Sequence, residues 1–129
     1  TDAINTQQAS SQQLLAQNMQ LHLAQTDMFL TQVSNMSNQQ SSPVLIQTAE
    51  NLLVTNRIYK NAYINNNNKR LKSLLSELEQ VLLEISNGEN TNSQKYIRDY
   101  ASTELLYKVK SNNQKLKSQL SKQNTTTSI

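Results

Sequence analysis

The 129-residue chain holds one glycine, one proline and no cysteine, which excludes turn-rich β-sandwich and α/β architectures, a disulfide framework, a thiolate zinc site and a cysteine nucleophile. Asn, Gln, Ser and Thr fill 59 positions, as in disordered linkers, yet the apolar residues recur with helical periodicity, which such tracts lack. The net charge of +3 is unevenly divided: Asp2, Asp27 and Glu50, with no basic residue, make residues 1–56 −3, and the remainder is +6.

The first predicted helix spans residues 8–37. Leu15, Met19, His22 or Leu23, Thr26, Leu30, Val33 and Met36 follow a three-four spacing that buries one face. Asn38 to Ser42 break the pattern, and Ser42-Pro43 reads as an N-cap followed by proline at the first helical position. The second helix, 43–64, carries Leu45, Ala49, Leu52, Asn56, Tyr59 and Tyr63. It ends in Asn65 to Asn68, four residues suited to capping and left-handed conformations. The third, 69–87, is the most apolar, with Leu71, Leu74, Leu75, Leu78, Val81, Leu82 and Ile85. Gly88 stops it. The fourth, 92–122, opens on a capping box of Thr91 with Gln94 and carries Ile97, Ala101, Leu105, Val109, Asn112, Leu116 and Leu120. Residues 1–6 and 123–129 are expected to be mobile ends.

Short connections predict one all-α domain, an antiparallel up-down-up-down four-helix bundle with long first and fourth helices. At 1.5 Å per residue the outer helices reach roughly 45 Å and the inner pair roughly 30 Å, so the outer pair overhangs. Lys108, Lys110, Lys115, Lys117 and Lys122 fall toward that pole with no acid after Glu104. Of these, Lys110, Lys115, Lys117 and Lys122 would give a basic end able to make weak contact with an anionic membrane surface.

Little in the chain suits catalysis. His22 is the one histidine, with no second base to relay a proton, so a hydrolase triad cannot form. Met19, His22 and Met28 suggest a soft-metal site, but too few ligands share one face, and core filling is the commoner role. Glu77, Glu79 and Glu84 lack the Glu-x-x-His pairs of bundle metal centres and read as a solvated or ion-paired face. The tyrosines at positions 59, 63, 96, 100 and 107 read as core edges with hydroxyls at the surface. One glycine cannot build a phosphate loop, and three arginines in three regions do not form a nucleic-acid patch. The expectation is no enzyme, no cofactor, no metal and no nucleic acid.

Several strings are less generic: Ala49-Glu50-Asn51-Leu52-Leu53, Asn56-Arg57-Ile58-Tyr59-Lys60, Leu74 through Asn87 (LLSELEQVLLEISN), and Leu105-Leu106-Tyr107-Lys108-Val109. Together with His22-Leu23 through Asp27 they resemble the extracytoplasmic helical domain of bacterial putative zinc-finger anti-sigma-factor-like membrane proteins, over roughly residues 20 to 112. The resemblance implies a periplasmic signal-input or protein-interaction domain with a protein partner, from a precursor with a signal peptide or membrane anchor. This chain lacks the cytoplasmic zinc-finger segment and the membrane helix of that family, so sigma-factor binding itself would not reside here. A secreted structural or chaperone-like helical protein is the alternative.

Arg57 is the first basic residue of the chain. Folding the second helix onto the third brings it level with about residue 76, within a turn of Glu77 and Glu79, and Asp27 could approach from the first helix. An exposed pair contributing ~0 to 1 kcal/mol and a buried bridge whose loss costs about 3 kcal/mol are both open. The Asn56-Arg57-x-Tyr59 match puts the buried bridge, a structural network of Arg57, Glu77, Glu79 and Asp27, on equal footing.

Overall fold

A computed structural model describes residues 2–35, 43–88 and 99–127. Among these the chain is helical except around the turn at 63–68 and at Gly88, and no strand occurs. Helix α1 spans Asp2–Asn35, α2 Pro43–Ala62 and α3 Lys69–Asn87. Helix α4 is described from residue 99 and contains a π-helical turn, Ala101–Leu105, that continues as α-helix over Leu106–Thr127.

Both outer helices run further than the periodicity suggests. Helix formation continues to Asp2 and to Thr127, through segments expected to be mobile. No glycine or proline interrupts either stretch. Gln and Ala propagate a helix well. Residues 36–42 and 89–98 hold the Asn38–Ser42 break, the Ser42 cap, Met36, Tyr96, Ile97 and the Thr91–Gln94 box, all outside the described residues. Pro43 does open α2, where its missing N–H costs no helical bond.

Helix α2 ends at Ala62, two residues early, because the backbone tightens into a turn: Ile64 N–H donates to Asn61 O and Asn66 N–H to Tyr63 O. The asparagines then act as caps. Asn68 N–H donates to Asn66 Oδ1 at 2.8 Å, and Leu71 N–H donates to Asn68 Oδ1 at 3.1 Å, satisfying an otherwise orphaned donor of α3. None of them takes a positive φ, which among the described residues occurs only at Gly88, at φ 65° past the end of α3. An added Cβ there would sit 3.0 Å from Ile46 Cδ1.

The π turn answers a spacing visible in the sequence. Ala101, Leu105 and Val109 are each buried and four residues apart. Four α-helical residues overshoot a full turn by about 40°, so two such steps would swing Val109 off the core. The Leu106 N–H to Ala101 O bond, one residue wider than the α-helical bond, takes up the excess.

Helix α1 packs chiefly on α4, and α2 on α3. Gly88 lies against Ile46 and Asn56 bonds Leu75, so α3 runs back antiparallel along α2. The seven apolar positions read from the α3 sequence are all buried and fill the centre of the core. Met19, Leu23, Phe29, Leu30 and Val33 close it from α1, and Leu105, Val109 and Leu116 from α4. Each such side chain stabilises the fold by about 1.5–3 kcal/mol through loss of apolar surface to water. No described helix is long and apolar enough to cross a membrane.

Candidate functional site

Three polar groups lie among these apolar ones: His22, Thr26 and Asn56 are essentially unexposed. Thr26 resolves its own hydroxyl by donating to His22 O at 2.8 Å, one turn back on α1. Asn56 bridges three helices: its Nδ2 donates to Leu75 O of α3 at 2.8 Å, and its Oδ1 lies 2.9 Å from His22 Nε2 of α1. That orientation of the amide makes Oδ1 an acceptor, so His22 carries its proton on Nε2. The other ring nitrogen, Nδ1, is buried with no partner among the described residues. Tyr59 covers the ring at 5.3 Å between centroids. Burial holds the His22 pKa below its ordinary 6.5, and the Asn56 bond offsets this only in part.

The soft-metal reading separates in space. Met19 and His22 are buried, but Met28 is on the solvent face. Among the described residues no group of three or more His, Asp or Glu side chains converges on a point a metal could occupy.

The Arg57 network divides into three separate groups, one triad and two pairs. Arg57 Nε donates to Glu79 Oε1 at 3.0 Å and Lys60 Nζ to Glu79 Oε2 at 2.7 Å, spanning α2 and α3. Glu77 instead receives Lys108 of α4 at 3.0 and 3.2 Å, and Asp27 receives Lys110 of α4 at 3.1 Å. The buried bridge is not what forms: the Arg57 side chain is 51% exposed. One helical step of about 100° separates it from Asn56, which faces the core, so Arg57 is turned onto the α2–α3 edge. The two cations hold the Glu79 carboxyl below its ordinary pKa, Lys60 contributing before Arg57. Arg57→Ala is therefore expected to cost under ~1 kcal/mol in urea denaturation, because Lys60 still meets the carboxylate and water screens the pair. A loss near 3 kcal/mol would restore a desolvated bridge.

Of the lysines assigned to a basic pole, Lys110 is paired to Asp27, and Lys108 to Glu77 beside the middle of α3. Lys117 and Lys122 are exposed. Lys115 instead lines a cleft of about 390 Å³ between α3 and α4, with Lys69 and Arg70 from the start of α3, Ser73, Ser111 and Tyr107. Arg70 and Lys115 also line an adjoining hollow of about 370 Å³ that reaches the Asn66 to Asn68 turn and Gln119. Tyr107 is 72% exposed, against the expectation of a core-edge position. Tyr63 is instead fully in the core, with Tyr59 and Tyr100 packed against it.

Helical periodicity places Asn56 on the buried stripe but reveals neither its partners nor this cleft, because both join residues far apart in the chain. No family model, curated protein or solved structure matches the chain.

Proposed function

We propose that this chain is a non-catalytic protein-interaction domain, the extracytoplasmic signal-input part of an anti-sigma-factor-like regulator. The interaction reading is carried by one observation: large apolar side chains stand outward in rows on the first two helices. Leu14, Leu21 and Met28 are each more than half exposed and seven residues apart on α1, a spacing that keeps them on one helical face. Val44, Val54 and Ile58 form a second outward row on α2. The only charged residue between 14 and 28, Asp27, is turned to Lys110.

An exposed apolar row of this kind suits a partner surface. Its uncharged surroundings and seven-residue repeat fit an amphipathic helix of a second protein, laid along α1 by its own apolar face. The regulatory and periplasmic parts of the proposal rest on the likeness of the segments around Asn56-Arg57-x-Tyr59 and Leu78 to Asn87 to anti-sigma-factor-like proteins.

The reading requires an extracytoplasmic-function sigma factor encoded beside this gene, and the test places Leu21→Glu with Met28→Glu in the full-length protein and follows a reporter driven by that factor. Both positions are at the surface, so thermal unfolding should stay unchanged while the response to the inducing stress is lost. A reporter that responds equally with and without the whole gene would remove the anti-sigma reading. A normal response in the double variant, with the gene required, would remove α1 as the partner surface.

A further inference from the structure

The α3–α4 cleft has chemistry that a helix-to-helix partner surface does not require. Its lining carries four cations, Lys69, Arg70, Lys108 and Lys115, against one carboxylate, Glu77. Lys108 takes both oxygens of that carboxylate. Lys69, Arg70 and Lys115 have no acidic partner among the described residues. Three like charges gathered on a concave surface repel one another, and the concavity strengthens their joint field at its centre. Such a cluster destabilises the free protein slightly and is relieved when an anion enters.

The shape narrows the anion. Arg70 and Lys115 stand where the main cleft of about 390 Å³ meets the second hollow of about 370 Å³, so one cation pair serves two compartments. Each compartment is of small-ligand size. Ser73 and Ser111 offer hydroxyls in the first, and the amides of Asn66 to Asn68 and Gln119 line the second. Tyr107, at the edge of the first, presents a largely exposed ring that can cover the apolar face of a sugar or cyclic polyol. The planar fork of Arg70 matches the paired oxygens of a tetrahedral ester, and Lys115 adds a mobile point charge.

We propose that this cleft binds a sugar or polyol carrying two phosphate- or sulfate-ester groups, one in each compartment, with Arg70 and Lys115 between them. The site is independent of the α1 row, and either can fail without the other. The same chemistry occurs on a free metabolite and on a phosphorylated inositol lipid headgroup.

The probe is fructose 1,6-bisphosphate, titrated calorimetrically and by amide NMR into the whole chain at low salt, with inorganic sulfate as the comparison. One-to-one saturable binding is expected, tighter than sulfate, with the largest amide shifts at Ser73, Ser111 and the Asn66 to Asn68 turn. Arg70→Gln should weaken it about tenfold, and Arg70→Gln with Lys115→Gln about a hundredfold, as for lost charge-assisted bonds. Lys117→Gln, on the row of Lys110 away from the cleft, should change it less than twofold, and none of these surface changes should alter the circular dichroism. Vesicles containing an inositol bisphosphate lipid separate the two sources. Binding tighter than to the soluble bisphosphate, lost in the double variant, identifies a headgroup; no gain on vesicles identifies a free ligand. Two results overturn the site: a loss with Lys117→Gln equal to that with Arg70→Gln, which is unspecific charge attraction, or a titration with neither saturation nor shifts at Ser73 and Ser111.

Discussion

Replacing Asn56 by alanine is expected to cost about 3 kcal/mol of folding stability, a large loss for one polar side chain. Two costs add. Truncation strands the His22 Nε2–H donor in the core, a penalty of about 1–3 kcal/mol for a buried donor left without an acceptor. It also leaves a void where the amide stood between three helices, at a fully unexposed position that has no solvent to fill it. Leu75 O loses less, since it sits within α3 and keeps the helical bond there. The companion experiment is His22→Leu with Asn56→Leu, which removes donor and acceptor together and restores volume. That double variant is expected to be far less destabilised than the sum of the single losses, because apolar replacement of both partners of a buried hydrogen bond can be nearly neutral. Urea denaturation at pH 8 reads the natural sequence, Asn56→Ala, the two single leucine variants and the double variant with His22 neutral. A loss below ~1 kcal/mol for Asn56→Ala would show that α1 can repack around the gap and that the network does not tie the helices together.

How legible this was depends on how far apart the interacting residues lie in the chain. Helix α3 could be read completely: its leucines alternate three and four apart with glutamates and serines between, and each predicted position is buried. On α1 the choice between His22 and Leu23 was a false one, since both are buried, and Phe29 was missed. A helix that packs on α4 and also touches α2 buries a stripe wider than one file of residues, and Leu53 of α2 was passed over for the same reason. The four-residue spacing of Ala101, Leu105 and Val109 is a signal of the π turn that the helical periodicity of the segment masks. The asparagine tract is legible as a turn because capping is chemistry between near neighbours.

The ion pairs and the cleft show the opposite case. Glu77, Glu79 and Asp27 were all within reach of Arg57 by register alone, and register cannot say which edge each side chain takes. The structure gives them to different cations, Lys108, Lys60 with Arg57, and Lys110. Likewise Lys115 was grouped with its sequence neighbours, although the residue it works beside is Arg70, on a different helix. Charge pattern along a chain locates basic segments; the fold decides which charges converge.

Acid is expected to unfold this protein through His22 before it reaches the carboxylates. The imidazole sits 1% exposed, with Nε2–H committed to Asn56 Oδ1, Tyr59 against its face and no charged side chain bonded to it. A second proton must go to Nδ1, which has no acceptor among the described residues. The core would then hold an unpaired charge, so burial lowers the folded-state pKa below 6.5, the Asn56 bond opposing this more weakly. The sign follows from proton counting. Between the folded pKa and 6.5 the unfolded chain binds more protons than the folded one, so stability rises with pH across that window. The full contribution is present above 6.5 and is lost progressively as pH falls toward the folded pKa. Glu79 acts in a lower window: its depressed pKa contributes above 4.5 and is lost as pH falls below that. Because Glu79 is met by two half-exposed cations, its loss is the smaller of the two. Denaturation midpoints at pH 8 and pH 5.5 should therefore differ for the natural sequence and nearly coincide for His22→Leu with Asn56→Leu, which removes the titrating ring without stranding the amide. Equal pH dependence in the two proteins, or an NMR titration placing His22 at or above 6.5, would mean that the ring can reach water and that the His22–Asn56 pair does not close off the centre of the bundle.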